Sequence, residues 1–215
     1  NGVTLDLKTA ATSSDVAVTT GGGADTITLT DTAGVTGTFQ ITTGAGADTI
    51  TYNHSGGIQN LAQDAVEVDA GLGKDLVTFT AVDADNTDHY DVEIDAGEST
   101  TSAYDEITGY VGGDTTVAGI VINFSGAADH ATAVTNIAVA GYTSSELLLT
   151  SSAIGLVTWA GTSASGLTLA NKITSVQTQF TATHDTVAFV HGSDSYLFHN
   201  NSTSAHTNQS LRWSY

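Results

Sequence analysis

The sequence predicts a mainly β chain: a parallel β-solenoid over residues 1–130, then a smaller mixed α+β region over 131–215 that contains a β-hairpin. Three observations carry this expectation. Gly21-Gly22-Gly23-Ala24-Asp25-Thr26-Ile27, Gly44-Ala45-Gly46-Ala47-Asp48-Thr49-Ile50 and Gly71-Leu72-Gly73-Lys74-Asp75-Leu76-Val77 share one turn pattern, G-x-G-x-D-x-(Ile/Val). An alternating apolar run leads into each turn and a second one leaves it. The aspartates recur at the spacing of one solenoid coil: 48 − 25 = 23 residues, then 75 − 48 = 27, with Asp105 and Asp129 following after 30 and 24.

The runs entering the turns are Val16-Ala17-Val18, Phe39-Gln40-Ile41, Val66-Glu67-Val68, Val92-Glu93-Ile94 and Ile120-Val121-Ile122, which implies about five coils. The runs leaving them are Thr26-Ile27-Thr28-Leu29-Thr30, Thr49-Ile50-Thr51-Tyr52 and Leu76-Val77-Thr78-Phe79-Thr80. Two short strands per coil follow. Parallel stacking pairs each strand with its copies at about 4.8 Å, so Ile27, Ile50 and Val77 form one ladder and the turn aspartates another. Carboxylates at that spacing repel one another unless cations lie between them.

The turn chemistry suits a hard cation such as calcium. Glycines let the backbone turn its carbonyls inward, aspartate supplies an anionic oxygen, and the aliphatic residue plugs a core. The alternative is a metal-free turn in which the carboxylate accepts backbone N–H groups. Asp83-Ala84-Asp85-Asn86-Thr87-Asp88 places oxygens at alternate positions and is a further calcium candidate, or else a solvated acidic turn.

Composition narrows the partners. The chain has 215 residues, 40% of them hydrophobic, enough for a real core. Without cysteine, proline or methionine, no disulfide or thiolate metal site contributes. The four basic residues are Lys8, Lys74, Lys172 and Arg212. Against 23 acidic ones they leave a net charge of −19, which argues against nucleic acid and anionic membranes as partners. No apolar stretch approaches the roughly 20 residues of a membrane-spanning helix. With no initial methionine and no signal-like segment, the expectation is a mature fragment, or an exporter's substrate read at its carboxyl end.

Beyond residue 130 the character changes. Ala131 to Gly166 mixes small residues with Ile137, Leu147-Leu148-Leu149 and Leu156-Val157-Thr158-Trp159, and is expected to be ordered and partly buried, with helix and strand both open. Leu169, Ile173, Val176 and Phe180 fall on one helical face, predicting a short amphipathic helix between Leu167 and Phe180. Asp185 to Val190 and Ser195 to Phe198, flanking His191-Gly192-Ser193-Asp194, predict a hairpin.

The three turns resemble the G-G-x-G-x-D-x-U-x repeats of RTX calcium-binding proteins, which bacterial type I exporters secrete. Here Thr20, Thr43 or Ala70 stands at the motif's first glycine. The longer coils resemble those of bacterial surface-layer and other cell-surface structural proteins. The segments Val121 to Asp129 and Asp185 to Phe198 resemble the carboxyl-terminal regions of such proteins, although this chain ends in Ser210-Leu211-Arg212-Trp213-Ser214-Tyr215 rather than Leu-Thr-Gly. The resemblance implies a β-roll-like fold. Calcium would be held by backbone carbonyls of the turns and by Asp25, Asp48 and Asp75, with Gly21, Gly23, Gly44, Gly46, Gly71 and Gly73 as turn residues. Asp105 and Asp129 are further candidates whose turns lack the paired glycines.

Catalytic patterns are absent: there is no G-x-S-x-G, H-E-x-x-H or phosphate loop. The seven histidines are scattered; His191 and His199, facing each other on the hairpin, would be the pair to test for a transition metal. Glu67 with Asp69, and Glu93 with Asp95, suggest glycosidase carboxylates or, more simply, a solvated or ion-binding face. Asn123-Phe124-Ser125 and Asn201-Ser202-Thr203 are glycosylation triplets. The functional expectation is a non-enzymatic extracellular structural subunit that folds with calcium and assembles head to tail with copies of itself into a surface layer, sheath or filament. Tyr52, Phe79, Tyr90, Tyr104 and Tyr110 would serve as interface anchors or as core, and a cell-surface polysaccharide is a second partner. The alternatives are the calcium-folding and secretion module of a larger exoenzyme or adhesin, and a halophilic acidic surface without specific calcium binding.

Overall fold

Alternation of Thr with Ile, Leu or Val sends one face of a strand to a core and leaves the other in water. A computed structural model of the chain describes residues 2–8, 15–31, 37–54, 66–80, 89–95, 98–100, 103–109, 119–124, 129–130, 137–139, 141–143, 145–152, 155–183, 185–200 and 208–214. The chain forms two compact units, one of Asn1–Ser99, Ala103–Ser125 and Trp213–Tyr215, the other of Thr100–Ser102 and Gly126–Arg212. Strands dominate both units.

The first unit contains β1 (Thr4–Lys8), β2 (Val16–Thr19), β3 (Thr26–Asp31), β4 (Phe39–Thr42), β5 (Ala45–Gly46), β6 (Thr49–His54), β7 (Val66–Asp69), β8 (Leu72–Gly73), β9 (Leu76–Thr80), β10 (His89–Ile94), β11 (Asp105–Thr108) and β12 (Gly119–Phe124). They make two parallel ladders, β1-β3-β6-β9-β11 and β2-β4-β7-β10-β12. All five runs expected to enter turns form the second ladder. The three expected to leave them are β3, β6 and β9, with β1 and β11 added at the ends.

Register is unshifted from rung to rung, so like stacks on like. Leu5, Ile27, Ile50, Val77 and Ile107 form one column, and Leu29, Tyr52 and Phe79 another. On the facing ladder Phe39, Val66, Tyr90 and Ile120 align. Tyr52 sits 6.1 Å from Phe39, 6.4 Å from Phe79 and 5.6 Å from Tyr90, ring centre to ring centre, and all four rings are buried. Tyr52, Phe79 and Tyr90 are therefore core. Tyr104 instead lies beneath the Lys74 ammonium, 5.2 Å from its ring centre, and Tyr110 falls outside the described residues. The outward threonines also align: Thr28, Thr51, Thr78 and Thr108 form a row in which the Thr108 hydroxyl donates to Thr78 Oγ1 at 2.8 Å.

The glycine turns add a third, short ladder, β5 with β8, extended by a bridge between Gly22 and Ala45. Here the backbones of successive turns press together. Gly71 has φ +72°, and an added Cβ would run into the Gly44 carbonyl oxygen; one at Gly73 would run into that of Gly46. A side chain is excluded there by both conformation and space.

The second unit begins with β13 (Asp129–His130), β14 (Ile137–Ala138), β15 (Leu148–Ser151) and β16 (Val157–Ala160). After a 3-10 turn at Ala164–Gly166 come α1 (Leu169–Gln179), β17 (Asp185–His191), β18 (Asp194–Asn200) and β19 (Asn208–Ser214), of which Trp213 and Ser214 belong to the first unit. The stretch left open between helix and strand resolves into the antiparallel sheet β14-β15-β16. Helix α1 starts in a capping box formed by Thr168 and Asn171 and buries Ile173, Val176 and the following Phe180. The Trp159 indole N–H donates to Ser175 Oγ at 3.0 Å, tying β16 to the helix. β17 and β18 form the expected hairpin around a two-residue turn, Gly192-Ser193, with Gly192 at φ +66°.

The turn stacking separates two glycines that look alike in sequence. Gly71→Ala is expected to destabilise the protein by about 1–3 kcal/mol or more, because strain and a clash coincide. Gly21→Ala, where nothing lies within 4 Å of an added Cβ, is expected to stay within about 0.5 kcal/mol of the parent. Urea denaturation of the two variants checks this; equal effects would contradict the stacking.

Candidate functional site

The corner between the turn ladder and the β3-β6-β9-β11 sheet places one aspartate per rung, just before the strand that leaves the turn. Asp48 Oδ1 accepts the Asp25 backbone N–H at 2.7 Å, and Asp75 Oδ1 accepts that of Asp48 at 2.7 Å. Asp105 Oδ1 accepts the Asp75 N–H at 3.0 Å. At the start of the column Asp25 Oδ1 takes the Val3 N–H at 2.6 Å, and at its end the Asp105 N–H donates to Ser99 Oγ at 2.8 Å. Four carboxylates thus stand in line, each 1–2% exposed.

Only half of each carboxylate is satisfied. Oδ2 of Asp25, Asp48, Asp75 and Asp105 is buried without a hydrogen-bond partner. Leaving an ionised oxygen so placed is costly, so the column calls for protons or cations. Burial, with repulsion from Asp48, pushes the Asp75 carboxyl up to about 6. Burial, with the charges of Asp75 and Glu98, raises Asp105 to about 8. Glu98, half-buried and accepting the Asp95 N–H, rises to about 7 through burial and the charges of Asp69, Asp95 and Asp75. Asp25 goes the other way, held below the usual carboxylate range by the Thr20 hydroxyl and the Val3 amide.

The structure brings together Asp25, Asp48, Asp75 and Asp105, with Gly21, Gly23, Gly44, Gly46, Gly71 and Gly73 in the adjoining turns. Several turn carbonyls already accept amides: Gly21 O from Ala45 N at 3.0 Å, Gly44 O from Leu72 N at 2.7 Å and Ala45 O from Gly23 N at 2.7 Å. Asp129 lies elsewhere, in β13 of the second unit, paired with Asp185. His191 and His199 do not face each other. His191 pairs with Asp194 beside the hairpin turn, and His199 with Thr186, whose Oγ1 is 2.8 Å from His199 Nδ1. The 83–88 candidate falls outside the described residues.

On the β7-β10 face Asp69 stands opposite Glu93, and both carboxyls are raised by burial and by their acidic neighbours. Glu67 accepts the Gln40 carboxamide at 2.9 Å, and Asp69 the Gly71 N–H at 3.0 Å. Among the described residues no three His, Cys, Asp or Glu side chains converge on one point.

Sequence reasoning missed five contributors. Val3 and Ser99 terminate the column, and Glu98 adds charge at its last rung. Thr20 and Thr43, at the motif's missing first glycine, donate their hydroxyls to the Thr43 and Ala70 carbonyls at 2.8 and 2.9 Å, a second inter-rung ladder beside the aspartates.

The raised carboxyls set a pH dependence. Between pH ~4 and ~8 the native chain holds protons at Asp75, Asp105 and Glu98 that the unfolded chain has released, so stability falls as pH rises through that window. Asp25 opposes this only below pH ~4, where its depressed pKa begins to cost stability. In chelator, thermal melts should therefore show the highest Tm at mildly acid pH and a decline toward pH ~8; a Tm that climbs across the window would contradict the buried column. No protein-family model, curated protein or solved structure matches this chain.

Proposed function

We propose that the chain is a non-enzymatic extracellular structural subunit, with its parallel ladders wound as a β-solenoid whose aspartate column takes up calcium. The observation that carries this reading is the line of four buried carboxylates, each with one unpartnered oxygen. Calcium prefers such anionic oxygens together with backbone carbonyls and tolerates irregular geometry. Because no three acidic side chains converge among the described residues, each ion would bridge neighbouring rungs, taking one carboxylate oxygen from each and completing its shell from turn carbonyls that keep a second lone pair. The net charge of −19 would keep subunits apart until cations neutralise them. Assembly would then proceed between copies of the chain at a cell surface, through the outer edges of β1, β2 and β12, which no described strand pairs.

The test is calcium titration of chelator-treated protein at fixed ionic strength, followed by circular dichroism and negative-stain electron microscopy. Asp48→Asn is measured beside the parent, because asparagine keeps an oxygen for the Asp25 N–H but removes the charge. The parent should gain stability and form ordered polymers at millimolar calcium, and the variant should need about tenfold more. Stabilisation without polymers would favour a calcium-folding module of a larger secreted protein. Potassium chloride acting as well as calcium, or no response at all, would sink the calcium assignment.

A further inference from the structure

Within the second unit, between the β14-β15 strands and helix α1, lies a cavity of about 210 Å³. Ile137 and the buried Leu149 give it an apolar side, and Tyr142 also lines it. Asn171, Thr174 and Gln179 of α1 supply its polar wall. Among the described residues no charged side chain lines it, in a chain carrying 23 acidic and four basic residues. Asn171 uses its carbonyl oxygen on Thr168, which leaves its amide N–H groups available. The Tyr142 hydroxyl, the Thr174 hydroxyl and the Gln179 carboxamide add further donors and acceptors. Donors and acceptors thus ring an apolar recess.

We propose that this cavity binds one ring of a neutral sugar. A pyranose has an apolar C–H face suited to an aromatic ring and aliphatic walls, and hydroxyls that both donate and accept, matching hydroxyl and carboxamide groups. Other ligand classes fit poorly. A cation finds no carboxylate here, and an anion finds no basic group and meets the repulsion of a strongly negative chain. A wholly apolar ligand would bury the polar wall unpaired. The small volume suits a single residue, such as a chain end or one unit of a glycan. This site does not depend on an ion in the aspartate column, so the two proposals fail separately.

The experiment is a titration of ¹⁵N-labelled protein with D-glucose and with N-acetyl-D-glucosamine, using D-glucuronate as the anionic comparison. Shift changes should concentrate at Ile137, Tyr142 and along α1, and at least one neutral sugar should bind more tightly than glucuronate. Tyr142→Ala should weaken that sugar about tenfold, while Tyr142→Phe retains most of the affinity. Should Tyr142→Ala fail to fold, Thr174→Val, at an exposed helix position, should still weaken binding severalfold. No shifts with either neutral sugar, equal binding of glucuronate, or unchanged affinity in a well-folded Tyr142→Ala variant would overturn the proposal.

Discussion

Each rung of the first unit up to Asp75 offers one backbone N–H to a carboxylate on the next rung, and the fold is organised around that bond. An in-register parallel ladder repeats every 4.7–4.9 Å. A side chain placed just before a strand can bond the equivalent amide of its neighbour only if it is short and ends in an acceptor. Aspartate meets both conditions at Asp25, Asp48, Asp75 and Asp105. The bond pins the register at the corner, and the columns of Ile, Leu and aromatic side chains follow from that register. A slip of one residue would turn Ile27, Ile50 and Val77 to the outside and withdraw every carboxylate from its amide.

The same arrangement stores an electrostatic cost. Hydrogen bonds to one oxygen stabilise the ionised form, while burial and the neighbouring carboxylate oppose it. The balance changes along the column. Asp25, bonded by an amide and beside the Thr20 hydroxyl, favours ionisation, whereas Asp105, enclosed beside Glu98, favours its proton. The fourth corner differs in sequence too. Six residues separate the strand end from the aspartate in the first three rungs (Thr19 to Asp25, Thr42 to Asp48, Asp69 to Asp75), but 105 − 94 = 11 in the fourth, and that longer corner carries Glu98 and Ser99.

Much of this was legible in the sequence because it repeats. Paired glycines, the aspartate and the alternating runs located β2 to β4, β6, β7, β9, β10 and β12 and the ladder of Ile27, Ile50 and Val77. Spacing alone misled at the end of the series. The interval from Asp105 to Asp129 suits a coil, but Asp105 is followed two residues on by Ile107, which plugs the core, whereas Asp129 is followed by Ala131. The pattern aspartate-x-aliphatic would have separated them. Strand β1 was equally visible, since Thr4-Leu5-Asp6-Leu7 alternates as Thr26-Ile27-Thr28-Leu29 does, but Val3 stands before it where the later turns have an aspartate. What could not be read was which atoms meet: that turn carbonyls go to amides, that hydroxyls of Thr20 and Thr43 make a second ladder, and that Ser99 closes the first. Those depend on the depth at which backbones stack, which no single position reveals.

The column is also finite, and this bears on how copies could meet. At one end the aspartate position is held by Val3, which donates an amide but has no carboxylate to receive one; at the other, Ser99 takes the last N–H. A neighbour stacked on the outer edge of β1 could therefore not extend the carboxylate line. It would meet Leu5, Leu7 and Val16, half-buried where Ile27, Leu29 and Phe39 of the next rung are fully buried, together with strand edges that no described strand pairs. It would also meet Asp6 and Lys8, exposed charges of the kind that discourage indiscriminate edge pairing. In the proposed assembly, apolar columns and backbone edges would hold copies together, while the ions would act within each copy, relieving the repulsion that burial imposes on its own carboxylates.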